Sequence, residues 1–171
     1  RQIAAACPNA AHRGLAELEK DFQVTVITQN IDDLHERGGS TRVLHLHGEI
    51  FRMRSDRDPD RVRDVRGDIR LGDLAEDGAQ YRPDIVWFEE PVPLMEMAAH
   101  QVRHADIFVI IGTSLAVYPA AGLVHLVRPE VPVFVIDRKV PRLERHPNPI
   151  VIERPATEGI AELMIRLRSL P

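Results

Sequence analysis

The chain has 171 residues, of which 44% are apolar and 28% charged, which is typical of one globular domain with a sizeable core. The net charge of −4 excludes a basic field that would attract nucleic acid or an anionic membrane, and the apolar runs are too short to span a bilayer. The single cysteine, Cys7, excludes an intramolecular disulfide and a zinc cage built from thiolates. We therefore expect a cytoplasmic protein without nucleic-acid or membrane partners.

The first fifty residues predict helices alternating with short strands. Asn9 is a favoured N-cap residue, and the segment PNAAHRGLAELEKDF places its apolar residues at helical spacing. QVTVI is β-branched and predicts a buried strand, whereas DDLHERGG predicts a brief helix that ends at its glycines. RVLHLHG alternates, which places its two histidines on one face of a strand.

The character of the sequence changes between residues 52 and 70. This stretch reads RMRSDRDPDRVRDVRGDIR, which is dense in charges of both signs and poor in large apolar residues. Such a segment cannot form a core. It is predicted to be an exposed excursion or small subdomain, and a solvated surface without a catalytic role is the simpler of these interpretations.

The remainder of the chain returns to apolar strands that alternate with helices. The predicted strands are PDIVWF, IFVII, VPVFVID and NPIVIE, and the predicted helices are PLMEMAAHQVRHA, a helix opening at the GTS turn, and ATEGIAELMIRLRSL. This alternation is typical of an α/β fold, a Rossmann-like parallel sheet with helices on both faces.

Polar groups follow several predicted strands, where doubly wound sheets bind ligands. Gly112, Thr113 and Ser114 follow IFVII, and Asp137 ends VPVFVI. A Gly turn with hydroxyls at a helix N-terminus suits phosphate or ribose oxygens, and a strand-end Asp can accept hydrogen bonds from ribose hydroxyls. Taken alone, each of these features is common in α/β proteins.

Read in chain order, the motifs TQNIDDLHERGG, HLHGE, RPDIVWFEE and ADIFVIIGTSLAVYPAAGL resemble those of the sirtuins, and most closely those of the bacterial branch. Sirtuins are NAD-dependent protein-lysine deacylases. The resemblance extends from about Pro8 to the last predicted helix. It implies NAD as cofactor and acyl-lysine proteins as substrates.

The resemblance also implies roles for individual residues. In the TQNID motif, Asn30 and Asp32 reach the nicotinamide and its ribose, with Gln29 beside them, and His47 of the HG motif is the catalytic base. The adenosine side of NAD would be held by Gly112, Thr113 and Ser114, with Asp137 near the ribose. The substrate peptide would be contacted by Phe88, Glu89 and Val117.

The implied reaction begins when nicotinamide leaves the ribose as the acyl-lysine carbonyl oxygen attacks. His47 then helps to deprotonate a ribose hydroxyl, and water releases free lysine and O-acyl-ADP-ribose. Imidazole can take up a proton at neutral pH, which suits this role. No motif assigns chemistry to the other histidines: His45 is expected to be packed or hydrogen-bonded, His35 to be structural, and the rest to lie on surfaces or helices.

The chain departs from the family in the zinc module. Most sirtuins carry two cysteine pairs that bind a structural zinc, but the matching region, residues 51–81, contains no cysteine. We therefore expect no metal, and ion pairs worth only ~0–1 kcal/mol each would be poor substitutes for one.

Two substitutions affect the ligand sites. The family's Phe-Gly-Glu loop reads Phe88-Glu89-Glu90, which adds a side chain where the substrate backbone must come close. Asp137 replaces the usual Asn and would repel a 2′-phosphate, which disfavours NADP.

The chain opens without Met, and the family's opening strand and Gly-Ala-Gly phosphate loop are absent from it. We read residues 1–51 and 83–171 as the C-terminal part of a Rossmann-like NAD-binding domain and residues 52–82 as a small zinc-free insertion. These 171 residues alone would expose a sheet edge and are predicted not to catalyse deacylation. Two alternatives stay open: an NAD-binding sensor or effector module without turnover, and a protein ADP-ribosyltransferase.

Overall fold

The computed structural model describes residues 1–141, 143, 145–146 and 148–170. Its α-helices are α1 (Gln2–Ala5), α2 (Ala10–Leu18), α3 (Leu34–Gly38), α4 (Met95–Arg103) and α5 (Ala156–Arg168), with a 3-10 helix at Ala120–Leu126. Its strands are β1 (Val26–Thr28), β2 (Val43–His45), β3 (Gly48–Ser55), β4 (Val62–Asp64), β5 (Tyr81–Ile85), β6 (Phe108–Ile111), β7 (Val133–Ile136) and β8 (Ile150–Ile152).

The parallel strands form two sheets. β1 pairs with β2 in the register Thr28–His45, and β6, β7 and β8 pair in that order. The prediction of parallel strands with intervening helices is confirmed, and among the described residues these strands form two separate parallel sheets. One edge of β1 and one edge of β6 are therefore free of ladder partners within the described residues.

Two hydrophobic clusters lie on these sheets. One includes Val133 and Val135 of β7 with α4 and the 3-10 helix, and Ile27 and Leu44 of the β1–β2 pair pack against it. The other includes Phe134 and Ile136 of β7 with α2 and α5. β7 alternates between the two clusters and is buried at each of its four positions, because its side chains point to opposite faces.

Glycines permit the close approach of α5 to its neighbours. A Cβ on Gly14 of α2 would collide with the Ile160 side chain of α5, and a Cβ on Gly159 would collide with Ile136 of β7. Asn9 caps α2 as expected, because its side chain accepts hydrogen bonds from the backbone N–H groups of Ala11 and His12.

The charged stretch folds into a small antiparallel sheet in the order β4-β3-β5. The predicted strand PDIVWF corresponds to β5, but this strand belongs to the antiparallel sheet and not to a parallel one. The sheet extends from Gly48 to Ile85, and we propose this range as the small unit predicted at 52–82.

Ser55 is fully buried in this sheet, and its hydroxyl donates to Asp77 at 2.6 Å. That hydrogen bond lowers the pKa of the Asp77 carboxyl. The hydroxyl also accepts from the backbone N–H groups of Arg57 and Asp58. A shared serine side chain thus joins the end of β3 to the loop that precedes β5.

The helix predicted to open at the GTS turn was placed too early. The 3-10 helix begins at Ala120, and Leu115 in the intervening loop has a φ of 52°, which no helical residue adopts. None of the described helices is both long and apolar enough to cross a membrane.

Candidate functional site

The pairing of β1 with β2 brings the TQNID and HLHG segments together. Thr28 lies opposite His45 in the ladder, and the N–H of Leu46 donates to the Thr28 carbonyl at 2.9 Å. The residues that follow the two strands, Gln29 on one and His47 on the other, therefore meet at the same end of the pair.

The His47 ring is held in one tautomer by its neighbour. Its Nδ1 lies 3.1 Å from the carbonyl oxygen of Gln29, which can only accept a hydrogen bond, so Nδ1 carries the proton in this contact. Nε2 then holds a lone pair in the neutral ring. His47 is half-buried, and its free nitrogen is suited to accept a proton from a ligand.

The backbone on both sides of His47 is fixed by the small sheet. The His47 carbonyl accepts from the N–H of Val86 at 2.9 Å. Gly48, the next residue, has a φ of 78°, and a Cβ there would collide with the carbonyl oxygen of Asp84. Only glycine satisfies both the left-handed backbone and the close approach of β5.

His45 is buried, with a relative exposure of 7%. Its Nδ1 lies 3.1 Å from the Asn30 carbonyl oxygen, and its Nε2 lies 2.7 Å from Oε1 of Glu36. The expectation of a packed, hydrogen-bonded histidine is confirmed. His35 is also buried and contacts the His12 ring edge-on at 4.7 Å. His146, expected on a surface or helix, is instead only 7% exposed.

Asn30 and Asp32 lie in the loop between β1 and α3. The Asn30 side chain is exposed, and its backbone N–H donates to the Thr28 hydroxyl at 3.1 Å. Asp32 is half-buried, and its Oδ1 accepts from the N–H of Leu34 at the start of α3. The amide of Asn30 is therefore available to a ligand, while one carboxylate oxygen of Asp32 shapes the loop.

Gly112, Thr113, Ser114 and Asp137 meet at the carboxyl end of the β6–β7 pair. Ile111 lies opposite Ile136, and the N–H of Gly112 continues the ladder to the Ile136 carbonyl at 3.0 Å. Oδ1 of Asp137 accepts from the N–H of Lys139 at 2.9 Å, and Asp137 is only half-buried. An Asp carboxylate and an exposed Gly turn thus lie side by side.

The predicted peptide contacts lie on two exposed loops. Phe88, after β5, is 94% exposed, and Val117, after the GTS turn, is 47% exposed. Each has an exposed aromatic neighbour, Trp87 and Tyr118 respectively. Glu89 has a φ of 72°, so a non-glycine residue holds the left-handed conformation where the resemblance expects glycine.

The region that corresponds to the family's zinc module does not fit the metal. Thiolates are absent there, and the oxygens of Ser55 and Asp77 are engaged with each other and with backbone N–H groups. Among the residues described, no group of three or more His, Cys, Asp or Glu side chains could hold a metal ion.

A groove of about 570 Å³ lies away from these residues, and it is lined by Asp21, Phe22, Asp106, Ile107, Pro132, Leu167, Arg168 and Leu170. Ile107 and Pro132 immediately precede β6 and β7, so the groove lies at the opposite end of the strands from Gly112 and Asp137. Its charged residues Asp21 and Arg168 already pair at 2.8 Å. The carboxyl ends of the strands, which carry the uncommitted polar groups, are therefore a better candidate for the functional site than this groove.

Comparison with known proteins identifies the family of the chain. The model of the Sir2 family matches residues 1–119. An NAD-dependent protein deacylase of Helicobacter pylori is 48% identical over 167 residues, covering 98% of this chain and 73% of that protein. A protein of the same description from Bacteroides thetaiotaomicron is 48% identical over 169 residues, covering 95% and 72%.

Solved structures of Sir2 proteins also resemble this chain. A Sir2 homologue in complex with NAD superposes with a TM-score of 0.84 at 32% identity, covering 98% of this chain and 67% of that one. A complex of Sir2 with a p53 peptide and NAD⁺ superposes with a TM-score of 0.82 at 30% identity, covering 98% and 73%.

Proposed function

This chain belongs to the Sir2 family, and from that premise we propose that it carries the chemistry of an NAD-dependent protein-lysine deacylase. The observation that carries the proposal is the contact of His47 Nδ1 with the Gln29 carbonyl. In the neutral ring this contact leaves the lone pair on Nε2, and the exposed Asn30 follows Gln29 directly in the same loop. A base and an amide are thereby assembled at one end of a parallel strand pair.

The residues present fit NAD, which supplies an electrophilic ribose carbon once nicotinamide departs. Asn30, with an exposed side chain, would hydrogen-bond the nicotinamide, and Asp32 and Gln29 would face its ribose. Gly112, Thr113 and Ser114 would hold the adenosine side. Asp137 would accept from ribose hydroxyls and repel a 2′-phosphate, so NAD is preferred over NADP.

The role of His47 is to accept a proton from a ribose hydroxyl through Nε2. The Gln29 carbonyl stabilises the charge that the ring gains, because its hydrogen bond to Nδ1–H strengthens as the imidazole becomes positive. The N–H of Val86 donates to the His47 carbonyl and so fixes the main chain that carries the ring. Positioning and proton transfer of this kind contribute roughly 10²–10⁴-fold to a rate.

An acyl-lysine segment of another protein is the proposed substrate. Two loops with exposed apolar side chains, Trp87–Phe88 and Val117–Tyr118, support this proposal, because exposed aromatic residues suit recognition of an extended peptide. Glu89 adds a negative charge to the first loop. Peptides with basic residues beside the acyl-lysine should therefore bind more tightly than acidic ones.

The test measures nicotinamide release from NAD by the full-length protein with and without an acyl-lysine peptide. We expect release only with both substrates, and a loss of about 10²-fold or more in His47→Ala. His104→Ala is the matched control, because its Nδ1 also contacts a backbone carbonyl, that of His100 at 2.8 Å, on an exposed helix end.

Equal turnover in the two variants would refute the assignment of the base. NAD binding by calorimetry without peptide-dependent release would favour the sensor module instead. Covalent labelling of a partner protein by labelled NAD would identify ADP-ribosyl transfer.

A further inference from the structure

His45 and Glu36 lie beside the proposed nicotinamide loop and have no part in the reaction as described. His45 precedes His47 by two residues, and their rings contact consecutive carbonyls, those of Asn30 and Gln29 respectively. The side chain of His45 is 6% exposed and that of Glu36 is 41% exposed. The pair therefore contacts the loop between β1 and α3 from its buried side.

The two contacts of His45 require a proton on each ring nitrogen. The Asn30 carbonyl can only accept, so Nδ1 donates to it at 3.1 Å. An ionised Glu36 carboxylate can also only accept, so Nε2 donates to it at 2.7 Å. With Glu36 ionised, the two contacts together correspond to an imidazolium at His45, whereas the ring contact of His47 is the single one of Nδ1 with the Gln29 carbonyl.

We propose that His45, kept cationic by Glu36, is a positioning residue that fixes the Asn30 carbonyl and so aims the Asn30 amide at the nicotinamide of NAD. This inference rests on the proposed function for the identity of the ligand. The contacts of His45 with Asn30 and Glu36 are those of the protein itself and do not depend on the ligand. His45 holds the loop from the buried side, and the two histidines act differently because only one has a carboxylate partner.

The charges around His45 favour this state. Glu36 and His35 face it from α3, and Glu49 faces it from β3. Burial opposes the charged form, but the hydrogen bonds to Glu36 and Asn30 and the negative charges of Glu36 and Glu49 outweigh it, so the pKa of His45 is raised. The nearby His35 has a lowered pKa, first because of burial and then because of His12.

Two replacements at position 45 separate positioning from packing. His45→Leu removes both hydrogen bonds, whereas the side-chain amide of His45→Asn can still donate to the Asn30 carbonyl in place of Nδ1. We expect the Kd and KM for NAD to rise about tenfold in His45→Leu, the lower end of the effect of losing one charge-assisted hydrogen bond. The Asn variant should recover most of this loss, with kcat changed less than KM in both.

Protonation is tested directly by nitrogen chemical shifts of the imidazole rings in the full-length protein. We expect both ring nitrogens of His45 to be protonated in most molecules at pH ~6.5, where an ordinary imidazole is half protonated, because its pKa is raised. Glu36→Gln should return His45 to the neutral form. Glu17→Gln is the matched control, because Glu17 is also helical, 43% exposed and paired with one cation, Lys20.

A neutral His45 in the unmodified protein would overturn the charge assignment. An unchanged Kd for NAD in a folded His45→Leu variant would overturn the positioning role. Both readouts are independent of turnover, so they remain decisive if peptide-dependent nicotinamide release is not found and the proposed function fails.

Discussion

Replacement of Gly48 by alanine should be far more damaging than the same replacement at Gly78. Both glycines have a φ of 78°, so the backbone strain imposed by a Cβ is the same, ~1–2 kcal/mol. Reduced freedom of the unfolded chain offsets about 0.4–1 kcal/mol of this. At Gly78 nothing lies within 4 Å of the added Cβ, so Gly78→Ala should cost roughly 0.5–1 kcal/mol.

At Gly48 the added methyl group also meets the carbonyl of Asp84 and the Cα of Ile85. Neither can move without breaking the β3–β5 ladder, so overpacking adds ~1–3 kcal/mol. Urea unfolding of the full-length variants should show Gly48→Ala to be less stable than Gly78→Ala by about that amount. Nicotinamide release should fall in Gly48→Ala alone, because the strand shift moves His47.

Equal losses of stability at the two positions would refute the reasoning, since the two glycines share the same φ and a Cβ meets the backbone of β5 only at Gly48. An unchanged rate in a folded Gly48→Ala variant would show that His47 does not depend on this junction.

The remaining predictions concern strain, pH and metal. Glu89→Gly should stabilise the protein by about 0.5–1 kcal/mol in urea unfolding, because glycine adopts the φ of 72° without strain. Glu89→Ala should not stabilise it, and equal effects of the two variants would show that the charge of Glu89 is responsible instead. Burial, followed by the charge of His12, lowers the pKa of His35, so its contribution to stability is complete above pH ~6.5 and is lost as pH falls below that value. The free energy of unfolding of His35→Gln should consequently fall less below pH ~6.5 than that of the unmodified protein. An identical dependence on pH would contradict this expectation. A strong chelator should leave the melting temperature unchanged, and stoichiometric zinc in the purified protein would contradict the hydrogen-bonded account of Ser55 and Asp77.

Much of the parallel framework could be predicted because its strands are β-branched and apolar. A run such as VFVI is apolar throughout and so predicts a buried strand, and the corresponding strand β7 is buried at every position. β3 and β4 were missed because charged residues recur in both strands, and they form a half-buried antiparallel sheet whose composition does not resemble that of the apolar parallel strands. The start of the 3-10 helix was missed because the left-handed Leu115 has no signature in the sequence.

The candidate site could be predicted only where a contiguous motif carried it. The alternation of HLHG placed His45 and His47 on one side, and both rings do contact the loop after β1. Glu36 was not predicted to pair with His45, because the two residues are nine positions apart, one on α3 and the other on β2, and their meeting depends on tertiary structure. The difference in charge between the two histidines follows from that meeting.

The junction at Gly48 has a consequence for how substrate could be sensed. The N–H that holds the His47 carbonyl belongs to Val86, and Trp87 and Phe88 follow it without an intervening element. The main chain that carries the proposed peptide contact at Phe88 is therefore joined, two residues earlier, to the main chain that carries the proposed base. A displacement of Trp87 and Phe88 by a bound peptide would be transmitted through this hydrogen bond to the His47 backbone.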